Sequence, residues 1–282
     1  MDIHALLHDK TRLRWILQKG VGESNVAGDV FEFAMALMTN LHSTDPELRD
    51  ELSYSILENL IQSDTLLSSQ LAELLHFALS EELLFFRIGE HDTDSVFARS
   101  FALLIVGTIL DADVTTRRLD SQSVHEAIGK VIEYASKERD YRGYVQGKGW
   151  AHSIAHAADA LGSCVQHPVA TESERKRIVV AIRELATVCY PLHHREDDRL
   201  SYALLQVVEA ERIDTESLVE WIRGFEFDAE ASDEFCACNV NAEHFLRSLY
   251  FMLLWRVPGH TLLDPISNQI KTFNLFHRYR IL

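Results

Sequence analysis

Residues 45–62 read DPELRDELSYSILENLIQ, and their reading decides what kind of chain this is. Asp45 is an N-cap residue, and Pro46 takes the first helical position, where a missing N–H costs nothing. The apolar residues that follow recur with a period near 3.6, the mark of an amphipathic helix. The same grammar returns along the chain. TESERKRIVVAIRELATVCY opens with a capping box, Thr171 with Glu174 three residues later. The five prolines (Pro46, Pro168, Pro191, Pro258, Pro265) all fall at helix edges. About twelve helices follow from this pattern, with short connections that favour antiparallel hairpins. No convincing strand is read, and 12 Gly with 5 Pro are too few for a turn-rich all-β chain.

The opening stretch is also echoed. LSYSIL at Leu52–Leu57 returns as LSYALL at Leu200–Leu205, and FARSFALL at Phe97–Leu104 as FLRSLYFM at Phe245–Met252. Both pairs lie 148 residues apart, and at that offset His4 and His8 fall opposite His152 and His156. An internal duplication is therefore expected, with pseudo-repeats of roughly 1–145 and 149–282 in a single all-helical domain spanning 1–282. Six hairpins in 282 residues make about 47 residues each, the size of a HEAT-type unit. The expected fold is an all-α, HEAT-like α-helical solenoid of about six helical hairpins. An α/α barrel or toroid ranks second, and a generic bundle third.

Composition narrows the function. A net charge of −16 opposes nucleic acid and anionic membrane surfaces as partners, since both demand clustered cations. The N-terminal stretch is amphipathic and lacks the apolar core of a signal peptide. No run is read as approaching the roughly 18 apolar residues of a membrane span. Four cysteines in mostly apolar helical context suggest reduced thiols, so a cytoplasmic setting is expected. Cys236-Ala-Cys238 lacks the CxxC spacing and a second cysteine pair, which argues against a structural zinc.

The chemistry concentrates in GKGWAHSIAHAAD, residues 147–159. On a helical wheel of about 100° per residue, His152, His156 and Asp159 share one face, opposite Ile154, Ala158, Leu161 and Val165. Imidazoles with a carboxylate suit zinc or another first-row divalent metal, so His152, His156 and Asp159 form a candidate metal set. No cofactor is otherwise expected. The zincin pattern is absent, because Ser153 stands where its glutamate would follow the first histidine. A polar stripe of this kind equally suits hydrogen bonding to a ligand, or plain solvent.

Lys137, Arg139, Arg142 and Lys148 gather just before it, among Gly143, Gly147 and Gly149. They lead into a helix N-terminus, which favours a phosphate or carboxylate. A structured turn with solvated charges is the plainer alternative. LHHREDDRL, residues 192–200, offers further acids and histidines near a helix start. The candidate ligand-binding residues are Arg142, Lys148, Trp150, His152, His156, Asp159, Glu196, Asp197 and Arg199. The expected partner is a small anionic molecule or a protein or peptide held in a polar groove. The rival is a metal-dependent enzyme. Arg99 and Arg247 lie in apolar helices, where structural pairing with Asp50, Asp197 or Asp198 is expected.

DPELRDELSY, the Phe-x-Arg-Ser helix, RGYVQGKGWAHSIAHAADAL, EDDRLSYALL and FLRSLYFMLLW together resemble the bacterial family catalogued as domain of unknown function 2785. The resemblance implies an all-helical fold and importance for Arg142, Gly143, Trp150, His152, His156 and Asp159. It implies no activity. The chain is also distantly similar to lanthionine-synthetase cyclases, in which a Gly-Trp-Cys segment helps hold zinc. Ala151 stands where that cysteine would be, which removes a ligand.

Overall fold

A computed structural model describes residues 3–22, 29–63, 65–226 and 236–278, and the fold is all-α. The chain forms two compact units, Met1–Val169 and Ala170–Leu282. In the first unit, α1 (Ile3–Leu6), α2 (Lys10–Lys19) and α3 (Val30–Thr39) precede a π-helix, Glu47–Tyr54, that runs directly into α4 (Ser55–Gln62). Then follow α5 (Ser68–Ala78), α6 (Ser95–Thr116), α7 (Ser121–Lys137), a short hairpin of β1 (Tyr144–Val145) and β2 (Gly149–Trp150), and α8 (Ser153–Gln166). The hairpin departs from the strand-free expectation.

Asp45 caps as read, its side chain accepting from Leu48 N at 3.2 Å. The turn that follows is wider than an α-helix, however. π-helical backbone is rare and collects at functional sites. Here it places consecutive residues Arg49 and Asp50 as an ion pair, with Arg49 fully buried. Buried Asn40 ties the segment down, donating to Leu7 O and Ser53 Oγ at 3.0 Å each.

α6 is the core helix. Its 22 residues are long and apolar enough to cross a membrane, which amends the reading that no run approaches that length. That apolarity is spent inside the protein: 78% of its most apolar window is buried. α6 and α8 run in the same direction, with contacts that rise in step along both. Ser100 O meets His156, a Cβ on Gly107 would sit 3.6 Å from Ala160 Cα, and Asp113 meets His167 at 3.2 Å. Asp113 also accepts from Leu119 N at 2.9 Å, closing the end of α6 after Arg117 turns left-handed.

The second unit contains α9 (Glu172–Ala186), α10 (Glu196–Glu209), α11 (Thr215–Arg223), α12 (Ala237–Arg256), α13 (Leu263–Phe273) and α14 (Leu275–Arg278). Thr171 and Glu174 form the expected capping box. α10 and α12 pack antiparallel: Ser201 Oγ donates to Phe245 O, and Ser248 Oγ to Asp197, both at 2.9 Å. Phe225 stacks on Phe245, and Trp221 meets Phe225 edge-on. The Trp221 indole donates to Val179 O at 2.9 Å, so this aromatic core carries a satisfied donor.

Candidate functional site

The glycine-rich stretch before α8 is a β-hairpin, paired Tyr144 to Trp150 and Val145 to Gly149. Gly147 (φ 77°) supplies the left-handed residue of its three-residue turn. Gly149 is required for a second reason. It has φ 81°, and a Cβ there would lie 2.7 Å from Pro46 Cβ. The close approach lets Arg49 reach the hairpin backbone, donating to Lys148 O at 2.9 Å and Trp150 O at 3.3 Å. Its other amino group donates to Ser43 O at 2.7 Å, and its guanidinium lies over the Phe97 ring.

Arg142 and Lys148 are held by carboxylates, whereas exposed Arg139 donates to the Glu138 carbonyl at 2.6 Å. Arg142 forms a fork with buried Asp140, donating from Nε at 2.8 Å and Nη2 at 2.6 Å, and also donates to Thr93 O. The Asp140 carboxylate raises the Arg142 guanidinium above its ordinary value. Lys148 Nζ lies 2.6 Å from Asp94. Arg99, fully buried, forks onto Glu138 at 2.7 and 2.8 Å and also donates to Phe86 O, Arg87 O, Glu90 O and Ser95 Oγ. Its partner is thus Glu138, not Asp50, Asp197 or Asp198. Arg247 is exposed instead: it reaches solvent and pairs with Glu243 one turn back. Arg142 and Arg99 thus brace the loop from within, while Lys148 and Arg139 keep solvent exposure.

His152 does not lie in the helix. It is the left-handed residue (φ 50°, ψ 36°) that caps α8, so the helical wheel starts after it. Histidine is among the residue types enriched there. α8 is buried nearly all round, and the side of His156 and Ser163 faces α6 instead of solvent.

Six rings form a continuous row: Tyr54 edge-on to Phe101, Phe101 to His156, His156 to His152, His152 stacked on Trp150, and Trp150 against Tyr144. The row runs from half-buried Tyr54 through the interior, where Phe101 is 3% exposed, and emerges at Trp150 (40%) and Tyr144 (48%). The His156 ring lies with Nδ1 3.2 Å from Ser100 O. If that nitrogen carries the proton, the bond fixes the tautomer and leaves Nε2 as the basic atom.

Tyr54 Oη lies 3.2 Å from Thr108 Oγ1, and burial raises its phenol above the ordinary range. Burial also pushes the Asp50 carboxyl up to about 6 despite Arg49 beside it. Asp111, though its side chain reaches solvent, is raised by the protein crowded around it. Asp159 is half-buried on α8.

Glu196, Asp197 and Arg199 belong to the second unit. Glu196 is buried at the start of α10 and accepts from His194 N at 2.7 Å, with acids at this helix end facing its positive dipole. Asp197 accepts from Ser248, and Arg199 is exposed. The structure thus groups Arg142, Lys148, Trp150, His152, His156 and Asp159 in one unit and the other three in the second. His8 is exposed in a turn, and the His4 side chain lies outside the described residues.

Sequence reading missed Arg49, Tyr54 and Phe101, the residues that carry the hairpin and extend the ring row. The one available signal was an arginine within the apolar stripe of residues 45–62. It also missed Cys189. Among the described residues, the three ligating atoms within 4.8 Å of one another belong to Cys189, Cys236 and Cys238.

An all-helical chain with a braced hairpin and a row of rings at its central helices defines a protein class by architecture alone. The chain belongs to the family described as Protein of unknown function (DUF2785), whose match covers residues 84–251, more than half its length. That span contains the hairpin and α8, while Arg49 and Tyr54 lie before it. No curated protein and no solved structure matches the chain.

Proposed function

We propose that this chain is a duplicated, HEAT-like helical-repeat protein that binds a small ligand where the ring row of the first unit reaches solvent. The observation that carries this reading is the row itself, ending at half-exposed Trp150 and Tyr144. Duplication is supported by element order. Shifted by 148 residues, α2, α3, α5 and α6 fall on 158–167, 178–187, 216–226 and 243–264, over α8, α9, α11 and α12. We take the cytoplasm as its setting, consistent with four free cysteines.

The ligand chemistry shifts from the anion first expected. Arg142 and Lys148 are paired with Asp140 and Asp94, and the Asp111 carboxylate acts electrostatically on Tyr54 at the other end of the row of electron-rich rings. Rings and carboxylates together suit a small organic cation, through cation–π attraction of about 0.5–2 kcal/mol per ring contact. A lysine-bearing peptide presents the same chemistry.

Thermal unfolding with tetramethylammonium and, separately, inorganic phosphate tests this. The ammonium raises the wild-type midpoint and loses that effect in Trp150→Ala, because ligands of the native state stabilise it by mass action. Stabilisation by phosphate that disappears in Lys148→Ala would restore the anionic ligand; no response to either compound ends the reading.

A second reading, a metal-dependent enzyme using His152, His156 and Asp159, is favoured by one observation. The Ser100 carbonyl contact on His156 is the kind of outer support that metal-bound imidazoles receive. It requires that manganese, a metal that prefers carboxylate oxygen to thiolate, stabilise the wild type and not His156→Ala.

A further inference from the structure

The second unit holds a different constellation. Cys189 lies in the loop after α9, Cys236 is the residue that caps α12, and Cys238 is the second residue of that helix. Their three sulfurs lie within 4.8 Å of one another, and those of Cys236 and Cys238 are 2.9 Å apart. Two of the three come from a Cys-x-Cys pair, and the third arrives from 47 residues upstream.

A dedicated brace brings that third cysteine in. Asn241, buried on α12, donates from Nδ2 to Val188 O and to Tyr190 O at 2.8 Å each, and accepts from Leu192 N at 3.2 Å. All three bonds grip the loop on either side of Cys189. The cluster also borders space: Cys189 and Cys238 line a cavity of about 320 Å³ together with Arg183, Glu184, Glu226 and Asn239.

We infer that Cys189, Cys236 and Cys238 bind one thiophilic divalent cation, zinc, as three thiolates, with the fourth coordination position opening into this cavity. Zinc–sulfur bonds of about 2.3 Å require sulfurs roughly 4 Å apart, which this cluster reaches by small side-chain rotations. Binding is balanced by proton loss: one Zn²⁺ and three thiols give a tris-thiolate complex and three protons to solvent. Three protein ligands with an open fourth place are the pattern of an exchangeable or reactive zinc, in contrast to closed four-ligand structural sites. Glu184 and Glu226 are the carboxylates placed to approach that position. This site is separate from the ring row, and its test does not depend on it.

The test uses the full chain, purified without a histidine tag and reduced. Titration with Co²⁺ is expected to produce sulfur-to-cobalt charge-transfer absorption and the visible bands of tetrahedral cobalt, saturating at one ion per chain and reversed by zinc. Cys189→Ser, which alters an exposed thiol, loses the charge-transfer intensity of one sulfur and most of the affinity. Asn241→Ala, a positioning change, weakens affinity by about 10–100-fold with the spectrum retained. Cys164→Ser, in the other unit, changes nothing. Absence of the charge-transfer band in reduced wild type overturns the inference. So does a band that Cys189→Ser leaves intact.

Discussion

The guanidinium of Arg49 donates to the carbonyl of Lys148 at 2.9 Å, across 99 residues of chain. One buried side chain from a π-helical turn thereby closes a hairpin that introduces the central helix α8. Arg49 also contacts the Trp150 carbonyl, so the first exposed ring of the row is set by a residue far from it in sequence.

Arg49→Met is expected to cost about 3–5 kcal/mol, the range for breaking a buried charge pair and leaving its partners unmet. Arg49→Lys restores the charge but not the fork, and loses at least one charged hydrogen bond, about 1.5–3 kcal/mol. Urea unfolding gives the energies. Hydrogen exchange should show protection lost first at residues 144–151.

The Arg99–Glu138 fork is fully buried. Glu138→Gln alone is expected to destabilise by about 3–5 kcal/mol, because Arg99 keeps its charge without a counter-charge. Arg99→Met with Glu138→Gln together should cost clearly less than the two single changes summed. An additive pair in urea unfolding would mean that the two side chains act independently.

Asp50 gives a pH signature. Its carboxyl is raised from 3.8 to about 6 by burial, so the native state holds this proton more tightly than the unfolded chain. Between those values the native form binds more protons, and this group's contribution to stability falls as pH rises. The contribution is present below about 4 and gone above about 6, amounting to about 1–3 kcal/mol. Wild-type stability followed from pH 4 to 7 should carry this negative slope, and Asp50→Asn should remove it.

His152 separates backbone from chemistry. Its left-handed conformation costs a β-carbon-bearing residue about 1–2 kcal/mol, which glycine avoids. His152→Gly should therefore be more stable than His152→Ala in thermal unfolding, by about 1 kcal/mol. Both should lose ligand response equally if the imidazole contacts the ligand.

Local signals carried the all-α architecture: the Asp45 cap, the Thr171–Glu174 box and the 3.6-residue period each act within one turn. What escaped was set by distance along the chain. Arg99 was rightly suspected of structural pairing, yet its partner Glu138 lies on the loop after α7, and spacing cannot choose among acids. The hairpin of residues 144–150 has strands of two residues, too short for any alternation to register. His152 and His156 have helical spacing, but φ at His152 ends the helix before it. The third cysteine became visible only once Asn241 had drawn its loop to α12.

The reach of Arg49 also has a temporal side. Translation proceeds at about 5–20 residues per second, so Arg49 is synthesised roughly 5–20 seconds before its acceptors at Lys148 and Trp150. During that interval a guanidinium meant for the interior has only Asp50 and Ser43 to hold it. The first unit therefore cannot complete the contacts of Arg49 until the hairpin has been synthesised.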